Sequence, residues 1–498
     1  MYLRPLVNGS VLARHKRIIM FVALVVPFFA TTITAQTLNS TLLRNTGAIS
    51  YPQTLVRYLM INATATYELS STFQVVYQNT NSLTVFNHAL SDVSAVKGSL
   101  FVYNGTYQVS GTINMRSNVN MTLQDGVFIN ETGANVRIFS FSSISNSSIF
   151  AKNNATIHGL GAHGYDMEVA FYLQNCYNIT LSAEGINGLA IYNIGAQWFL
   201  ATNINSSLLQ NLYGYNWALM GLYAQHGMIL EGYNNQLINV TSDAGGGNAR
   251  CPLVIQGERM PSVNNTIIGG LYENSPHDNG IYVGGWMYPV LGTKIINVTT
   301  AHNAAPGHSG IKLRPATNTT VVGWVSNGDY NGMESGTEYN LTVGGETNTQ
   351  GSSYNDVSGT INSPLNCGLI LYVDGSDRGQ SVQYNTYHLI INNASQPGVW
   401  INNDWANTNS SISYNVLYIN VTGGQKAAIE FSGLGNSSYN TIYGTFIQNG
   451  KSGYSDIIFD NVASINHNTI NVYSTSGNPR GLYSGGLGTN VVVYPYST

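Results

Sequence analysis

Residues 228–243, MILEGYNNQLINVTSD, hold two short strand patterns that recur along the rest of the chain. In the first pattern, apolar side chains alternate with other residues over five positions, often after a glycine. Its copies begin at Met228, Leu253, Ile281, Ile311, Leu369, Val399, Ile429 and Ile457. The intervals are 25, 28 and 30 residues, then 58, then 30, 30 and 28. The long interval is two periods and contains a degenerate copy, GMESG, around Met333.

The second pattern is a strand introduced by asparagine, out of phase with the first. Its copies begin at Asn234, Asn264, Lys294, Asn318, Tyr339, Tyr354, Tyr384, Tyr414, Tyr439 and His467. Repeats of 20 to 50 residues indicate a solenoid or a propeller. The units contain no helical pattern, which excludes leucine-rich and helical repeats, and they are shorter than the ~40–50 residues of a propeller blade. We therefore predict an all-β fold, a right-handed parallel β-helix, with equivalent asparagines hydrogen-bonded from coil to coil.

Composition excludes several classes of protein. The 498 residues are 43% hydrophobic and only 8% charged, against about a quarter charged in typical domains. With 19 basic and 23 acidic residues, the chain lacks the positive surplus of a nucleic-acid-binding protein. The 33 tyrosines and 15 phenylalanines oppose disorder. Apolar runs long enough to span a bilayer are absent after the N-terminal region, which opposes a multi-span membrane protein.

The N-terminus has the order of a secretory signal peptide: a basic cluster at Arg14–Arg17, an apolar stretch from Ile18 to Ala30, and a small residue, Ala35, before the cleavage point. The alternative is an uncleaved anchor, which Pro27 opposes. We predict a signal peptide over residues 1–35, an N-terminal extension over 36–79 and the β-helix domain over 80–498. The protein is then extracellular or attached to the cell surface, with no membrane segment after cleavage.

Nineteen Asn-x-Ser/Thr sequons predict a glycosylated exterior. Examples are Asn62, Asn104, Asn146, Asn239, Asn297, Asn340 and Asn420. The three cysteines, Cys176, Cys251 and Cys367, are too few for a disulfide scaffold and have no metal-binding spacing. We interpret them as small buried apolar residues.

The segment Ser82–Val96 has apolar residues at helical spacing and predicts a short helix that caps the open end of the coil stack. The strand Ser99–Val102, the turn Gly105–Tyr107 and the segment Ser117–Leu123 follow it. In this order the pieces resemble the start of the pectin-lyase-like β-helix superfamily. With the repeats, the resemblance covers roughly residues 80–490. It implies the fold and, because carbohydrate-active proteins dominate the superfamily, a polysaccharide partner.

A cluster of polar residues lies on two of the predicted coils. Asp278 and His308 each stand three residues before a first-pattern strand, so we expect them one coil apart. Because strand side chains alternate, Tyr282, Lys312 and Arg314 are predicted to face outward beside them, and Gly284 leaves space for a sugar ring. The five predicted catalytic residues are Asp278, Tyr282, His308, Lys312 and Arg314. The alternative is a structural cluster in which Asp278 and His308 pair to hold a turn.

Two mechanisms suit these residues. In β-elimination from a uronate, Lys312 is the base and Arg314 neutralises the carboxylate, although Glu334, stacked on Lys312, would argue for a structural ion pair. Hydrolysis needs a second carboxylate opposite Asp278. The strands around Asp278 and His308 resemble those of polygalacturonase-type hydrolases only in part, and Asp243 lies ten residues before its first-pattern strand.

We predict a protein that acts on or binds polysaccharide, uronate polymers included, as a lyase-like or hydrolase-like enzyme. The alternative is a non-catalytic surface or adhesive β-helix protein, and the sequence leaves the choice open. Neither a cofactor motif nor an Asp-rich calcium loop is found: Asp374 and Asp377 form a loose pair typical of a polar turn. Nucleic acid is not an expected partner.

Overall fold

The computed structural model describes residues 55–133, 136–161, 168–185, 188–218, 225–245, 249–337, 342–343, 346–347, 351–373, 380–404, 410–447, 449, 453–460, 464–475 and 483–493. The predicted signal peptide and the Asp374–Asp377 pair lie outside these residues. None of the helices in the described ranges is long and apolar enough to cross a membrane.

Short parallel strands stack coil upon coil into three sheets. The strands of the first sheet are Val56–Ile61, Ser99–Val102, Asn120–Leu123, Ser145–Ala151, Val169–Ala183, Leu208–Gln210, Gln236–Ile238, Thr266–Ile268, Lys294–Ile296, Thr320–Asn327, Asp356–Asn362, Thr386–Asn392, Val416–Thr422, Thr441–Ile447, Thr469–Ser474 and Val491–Val493. Those of the second are Gly105–Val109, Val127–Glu131, Thr156–His158, Leu189–Tyr192, Leu212–Tyr215, Thr241–Asp243, Leu271–Glu273 and Thr299–Ala301. The second sheet joins the first at Thr320–Asn327.

The third sheet takes the remaining long side of each coil. Its strands are Ile113–Asn114, Arg137–Ser142, the start of Val169–Ala183, Gln197–Asn205, Met228–Tyr233, Leu253–Gly257, Ile281–Gly285, Ser309–Leu313, Asn331–Gly336, Leu369–Val373, Val399–Asn403, Ile429–Gly433, Ile457–Phe459 and Tyr483–Ser484. A narrower row joins the coils beside it, with strands Ser262–Val263, Val290–Leu291, Ser381–Gln383, Ser411–Ser413, Asn436–Ser438 and Ile465–Asn466.

This architecture confirms the predicted right-handed parallel β-helix. The first-pattern repeats are the third sheet and the second-pattern repeats are the first sheet. Register follows the repeats, since Ile281 pairs with Ile311 and Ile311 with Met333, so the degenerate copy is a true coil. The alternate residues of these strands, such as Met228 and Leu230, are fully buried. The core is therefore the inside of the coil stack.

The predicted asparagine ladder is present. Asn385 donates through its backbone N–H and its side-chain amide to Oδ1 of Asn415, at 3.1 and 2.9 Å. Asn415 makes the same two bonds to Asn440, and its amide also donates to the carbonyl of Val382. The ladder runs through Asn355, Asn385, Asn415, Asn440, Asn468 and Asn490. Each rung satisfies buried polar groups of the neighbouring coil.

The N-terminal helix confirms the predicted cap. It spans Ser82–Ser94, and Oδ1 of Asn81 accepts the N–H of Leu83 at its start. Its buried face includes Phe86, whose ring lies edge-on to Tyr107 with centroids 5.4 Å apart. Ahead of it, Val56–Ile61 pairs antiparallel with Thr66–Leu69, which pairs antiparallel with Val75–Asn79.

One predicted repeat is wrong. The copy placed at Tyr339 is not a coil of the first sheet, because Thr320–Asn327 pairs directly with Asp356–Asn362. Within the predicted copy, Thr342–Val343 instead pairs antiparallel with Glu346–Thr347. An insertion between two coils carries the same Asn-strand pattern without stacking, and periodicity alone does not separate the two. The three cysteines are free and buried, as interpreted from the sequence.

Candidate functional site

Asp278 and His308 lie together, as predicted. Nδ1 of His308 is 3.1 Å from Oδ1 of Asp278. About a fifth of the Asp278 side chain and about a third of the His308 side chain are exposed. Burial by itself would raise the pKa of Asp278, but the hydrogen bond from His308 and the charges of His226 and His308 hold that pKa well below its ordinary value. Asp278 is therefore an ionised group and a poor proton donor.

Lys312 and Arg314 do not face an open groove, which corrects the prediction for these two residues. Both are buried, and Nζ of Lys312 lies 3.1 Å from Oε1 of Glu334 on the next coil. Nη1 of Arg314 lies 3.5 Å from the same oxygen, and its Nε donates to the carbonyl of Thr337. A base for β-elimination must reach a substrate proton as a neutral amine. Lys312 is instead held in a buried ion pair.

Tyr282 is also buried, and it fills the space expected for a sugar. Its hydroxyl donates to the carbonyl of Arg314 at 2.8 Å and accepts from the indole of Trp286 at 3.1 Å. A Cβ at Gly284 would lie 2.6 Å from the Tyr282 ring and would also meet the carbonyl of Arg314. Gly284 thus makes room for the protein's own tyrosine, and the prediction of an open sugar site here is wrong.

An accessible row of polar and aromatic residues lies instead at the ends of the second-sheet strands. We call it the groove row: Asn130, His158, Tyr192, Tyr215, Asp243 and Glu273. Each of these residues is the register partner of the next, so the row follows the long axis of the β-helix. All six are half-buried. Neighbouring coils lie about 4.8 Å apart, so the row spans several coils with one side chain from each.

Aromatic rings occupy the middle of the groove row. Tyr192 and Tyr215 stack with ring centroids 5.4 Å apart, and Tyr213 lies parallel to Tyr215 at 6.4 Å. The ring of His158 is 6.0 Å from Tyr192. Tyrosine combines an apolar ring with a hydroxyl that bonds polar groups. Such a surface suits a ligand with apolar C–H faces and hydroxyl edges.

Two carboxylates follow the tyrosines, one coil apart. Oδ1 of Asp243 accepts the side-chain amide of Asn274 at 2.8 Å and the N–H of Gly245 at 3.0 Å, which fixes its position. Burial and the charge of Asp243 raise the pKa of Glu273, against a smaller opposing effect of His302, whose Nδ1 is 4.0 Å from Oε2 of Glu273. Burial and neighbouring charges, Asp243 and Glu273 among them, also raise the pKa of Tyr215. Asp243 is thus an anchored carboxylate, and Glu273 retains its proton to a higher pH than an ordinary glutamate does.

The other end of the groove row opens into a hollow of about 790 Å3. It is lined by Asn130, Glu131, Thr132, His158, Gly159, Leu160, Gly161 and Asn193. Burial, and then the charge of Glu168, raise the pKa of Glu131 to about 8. Glu168 is fully buried and accepts the N–H groups of Gly161 and Gly195. These two acids position the backbone around the hollow. Asn130 and His158 both line the hollow and belong to the groove row.

Two groups among the described residues bring three metal-ligating side chains together. In the first, Glu68 already pairs with Arg57 at 2.9 Å and with His88 at 2.6 Å, so its charge is compensated without a metal. The second is His226, Cys251 and Asp278, on three successive coils.

The groove row was not among the predicted site residues. Asp243 lies ten residues before its first-pattern strand, but it ends a strand of its own, Thr241–Asp243. The spacing held the information, because Tyr215, Asp243 and Glu273 follow one another at 28 and 30 residues, which is the coil period. A third repeat with the same period aligns Asp243 and Glu273 with Tyr215.

No protein-family model and no curated protein matches the chain. The coil stack itself decides the architecture. It is that of a right-handed parallel β-helix.

Several solved structures are similar to this β-helix. The catalytic unit of a GH87 α-1,3-glucanase from Streptomyces thermodiastaticus is 12% identical, with a TM-score of 0.48 over 81% of this chain and 66% of that chain, just under two thirds of its length. The tailspike protein of E. coli bacteriophage HK620, solved with a pentasaccharide, is 12% identical, with a TM-score of 0.48 over 86% and 77%. The A-module of the mannuronan C-5 epimerase AlgE6 from Azotobacter vinelandii is 12% identical, with a TM-score of 0.37 over 83% and 96%. At these values the likeness carries no argument about chemistry.

Proposed function

We propose that this β-helix protein binds a polysaccharide along the groove row and hydrolyses it beside Asp243 and Glu273. The observation that carries the proposal is the register of Tyr215, Asp243 and Glu273 on three successive coils. Two neighbouring acids, one of which (Glu273) has its pKa raised by burial and by the other, suit glycoside hydrolysis, and the tyrosines beside them offer a surface for the sugar rings.

The two acids have distinct roles in this proposal. Glu273, whose pKa is raised by burial and by Asp243, donates a proton to the glycosidic oxygen as the bond to the anomeric carbon breaks. Asp243, anchored by Asn274 and Gly245, stabilises the positive charge that develops at that carbon. Water then adds to the carbon, and its proton passes to the Glu273 carboxylate, which restores the acid.

The groove row also favours a class of glycan. The carboxylate of Asp243 would repel a uronate polymer, whose carboxylates carry the same charge. Lys312 and Arg314, which were expected to neutralise such a carboxylate, are occupied by Glu334. The proposal is therefore a neutral polysaccharide whose sugar faces pack on Tyr192 and Tyr215.

A hydrolysis screen with matched variants tests the proposal. The protein is incubated with neutral and uronate-containing glycans, and new reducing ends and unsaturated products are measured. We expect reducing ends from a neutral glycan, their loss in Glu273→Gln with binding retained, and weaker binding in Tyr215→Ala. Tyr443→Ala, an exposed tyrosine on the first sheet, is the control and should behave as wild type. Unsaturated products, or activity that survives Glu273→Gln, would overturn the assignment.

A non-catalytic surface protein is the second candidate. The anchoring of Asp243 by Asn274 and Gly245 also suits a carboxylate that only accepts hydrogen bonds from sugar hydroxyls. In that case a glycan is bound by wild type and weakened by Tyr215→Ala, and no glycan in the screen is cleaved. The same set of variants therefore separates the enzyme from the adhesive protein.

Export and glycosylation complete the proposal. The predicted signal peptide would carry the chain out of the cell, and exposed sequons would then be available for glycosylation. Of the examples quoted from the sequence, Asn340 lies outside the described residues and Asn146 is half-buried. The others are exposed: Asn62, Asn104, Asn239, Asn297 and Asn420. Mass spectrometry of the native protein, with its N-terminus sequenced, tests both points.

A further inference from the structure

Three side chains of different chemistry converge in front of the third sheet. His226, Cys251 and Asp278 stand two or three residues before the strands that begin at Met228, Leu253 and Ile281. The outer two are two coils apart, so their backbones are separated by about 9.6 Å. Yet one ligand atom from each of the three residues lies within 4.8 Å of the others. The side chains therefore lean toward a common point.

We propose that His226, Cys251 and Asp278 bind a zinc-type divalent metal ion. Imidazole, thiolate and carboxylate are the ligands that Zn2+ takes in proteins, usually in tetrahedral geometry. Hard cations such as Ca2+ and Mg2+ prefer all-oxygen sites, so the cysteine and histidine select against them. A water molecule would take the fourth position, as in zinc sites with three protein ligands.

The surroundings support a metal site. Asp278 is oriented by its neighbours, since its Oδ1 accepts the N–H of Asn279 at 2.9 Å and lies 3.1 Å from Nδ1 of His308. Hydrogen-bonded partners of this kind fix the direction of a ligating carboxylate. Only Oδ1 is used in these contacts, so Oδ2 can turn toward the metal.

The burial of the three residues gives a path for the ion. Cys251 is 1% exposed and forms the floor. His226 and Asp278 are half-buried and form the solvent side. A metal ion can therefore reach the histidine and the carboxylate first and the thiol last. The metal site lies beside the third sheet, and the groove row lies on the second sheet, so metal binding can be tested independently of the proposed hydrolysis.

Titration with Co2+ tests the proposal directly, because Co2+ replaces Zn2+ and its bond to a thiolate absorbs in the near ultraviolet. The purified protein is first stripped with a chelator and then titrated with Co2+ alone. We expect one Co2+ per chain, a thiolate absorption band, displacement of that band by Zn2+, and a melting temperature that rises with added Zn2+.

Variants complete the test. Cys251→Ser should lose the thiolate band, and His308→Gln should weaken Co2+ binding about 10- to 100-fold. Cys367→Ser, at a buried cysteine outside the cluster, should bind as wild type. If Cys251→Ser fails to fold, Asp278→Asn must still lower the affinity for Co2+. A band that persists in Cys251→Ser and disappears in Cys367→Ser, or the absence of stoichiometric binding to wild type, would overturn the site. Cys251 would then be only a member of the small apolar cluster with Ile229, Val254 and Tyr282.

Discussion

The ammonium of Lys312 lies 3.1 Å from a carboxylate oxygen of Glu334 on the next coil, and only 8% and 6% of the two side chains are exposed. Removing one partner of a buried ion pair leaves an uncompensated charge and costs about 3–5 kcal/mol. We therefore expect Lys312→Met to lower the free energy of unfolding by about 3 kcal/mol, since Arg314 still offsets part of the Glu334 charge. Chemical denaturation measures the change.

The double variant Lys312→Met with Glu334→Gln should recover at least half of that loss, because the unpaired charge is gone. Lys294→Met is the control, as Lys294 is exposed on the first sheet. Equal stability of Lys312→Met and wild type would show that the pair adds nothing and that Lys312 is available for another task.

The asparagine ladder gives a second prediction. Replacing Asn415 by alanine leaves the N–H and amide of Asn385 and the carbonyl of Val382 without their partner. A buried polar group without a partner costs about 1–3 kcal/mol. We expect Asn415→Ala to lower the free energy of unfolding by at least about 2 kcal/mol, and Asn420→Ala, at an exposed position, to leave it nearly unchanged. Similar losses in both variants would contradict the ladder's role.

Glu131 gives a prediction on pH. Its pKa is raised from 4.5 in the unfolded chain to about 8, by burial and by Glu168. The folded state therefore binds the proton more tightly, so its contribution to stability is complete below pH 4.5 and is lost as the pH rises toward 8. We expect the free energy of unfolding to fall by a few kcal/mol over that range. Glu131→Gln, which cannot ionise, should flatten the profile; an unchanged slope would assign the dependence to other acids.

Stacked tyrosines give a prediction about backbone conformation. Tyr414 has a φ of 57°, and its ring stacks on Tyr384 and Tyr439 at 5.3 and 5.2 Å. Asparagine tolerates this left-handed conformation, whereas a β-branched residue does not. We expect Tyr414→Asn to cost only the lost stacking, about 0.5–1.5 kcal/mol per ring pair, and Tyr414→Val to lower the melting temperature clearly further. The reverse order would show that stacking outweighs the backbone.

The coil stack could be predicted because each coil obeys the same local rules. Alternation places Ile281 and Val283 inside, and a recurring interval of about 30 residues sets their neighbours. The helix Ser82–Ser94 followed from its apolar spacing in the same way. Local sequence is sufficient for these elements because their partners lie at a fixed distance along the chain.

The candidate site could not be predicted on the same basis. Alternation says that Tyr282 and Lys312 point away from the core, but it does not say whether other protein atoms cover them. Trp286 bonds to Tyr282, and Glu334 takes the charge of Lys312. The Trp286 contact comes from a segment outside the repeats and carries no period, whereas the Lys312–Glu334 contact follows the coil register and was predicted as the structural alternative. Asp243 and Glu273 did have the period, and they were missed because the strands that they end are only three residues long.

The asparagine ladder also defines a unit in which this protein can change length. Asn385 and Asn415 occupy equivalent positions on successive coils, thirty residues apart, and each follows a tyrosine, Tyr384 or Tyr414. Excising residues 385–414 would join Tyr384 to Asn415. Asn355 would then bond to Asn415 in place of Asn385, and Asn415 would keep its bond to Asn440. Insertions and deletions of a full turn preserve the donor–acceptor match of the asparagine ladder, while those of a few residues break it. The length of the β-helix is thus adjustable in steps of one turn.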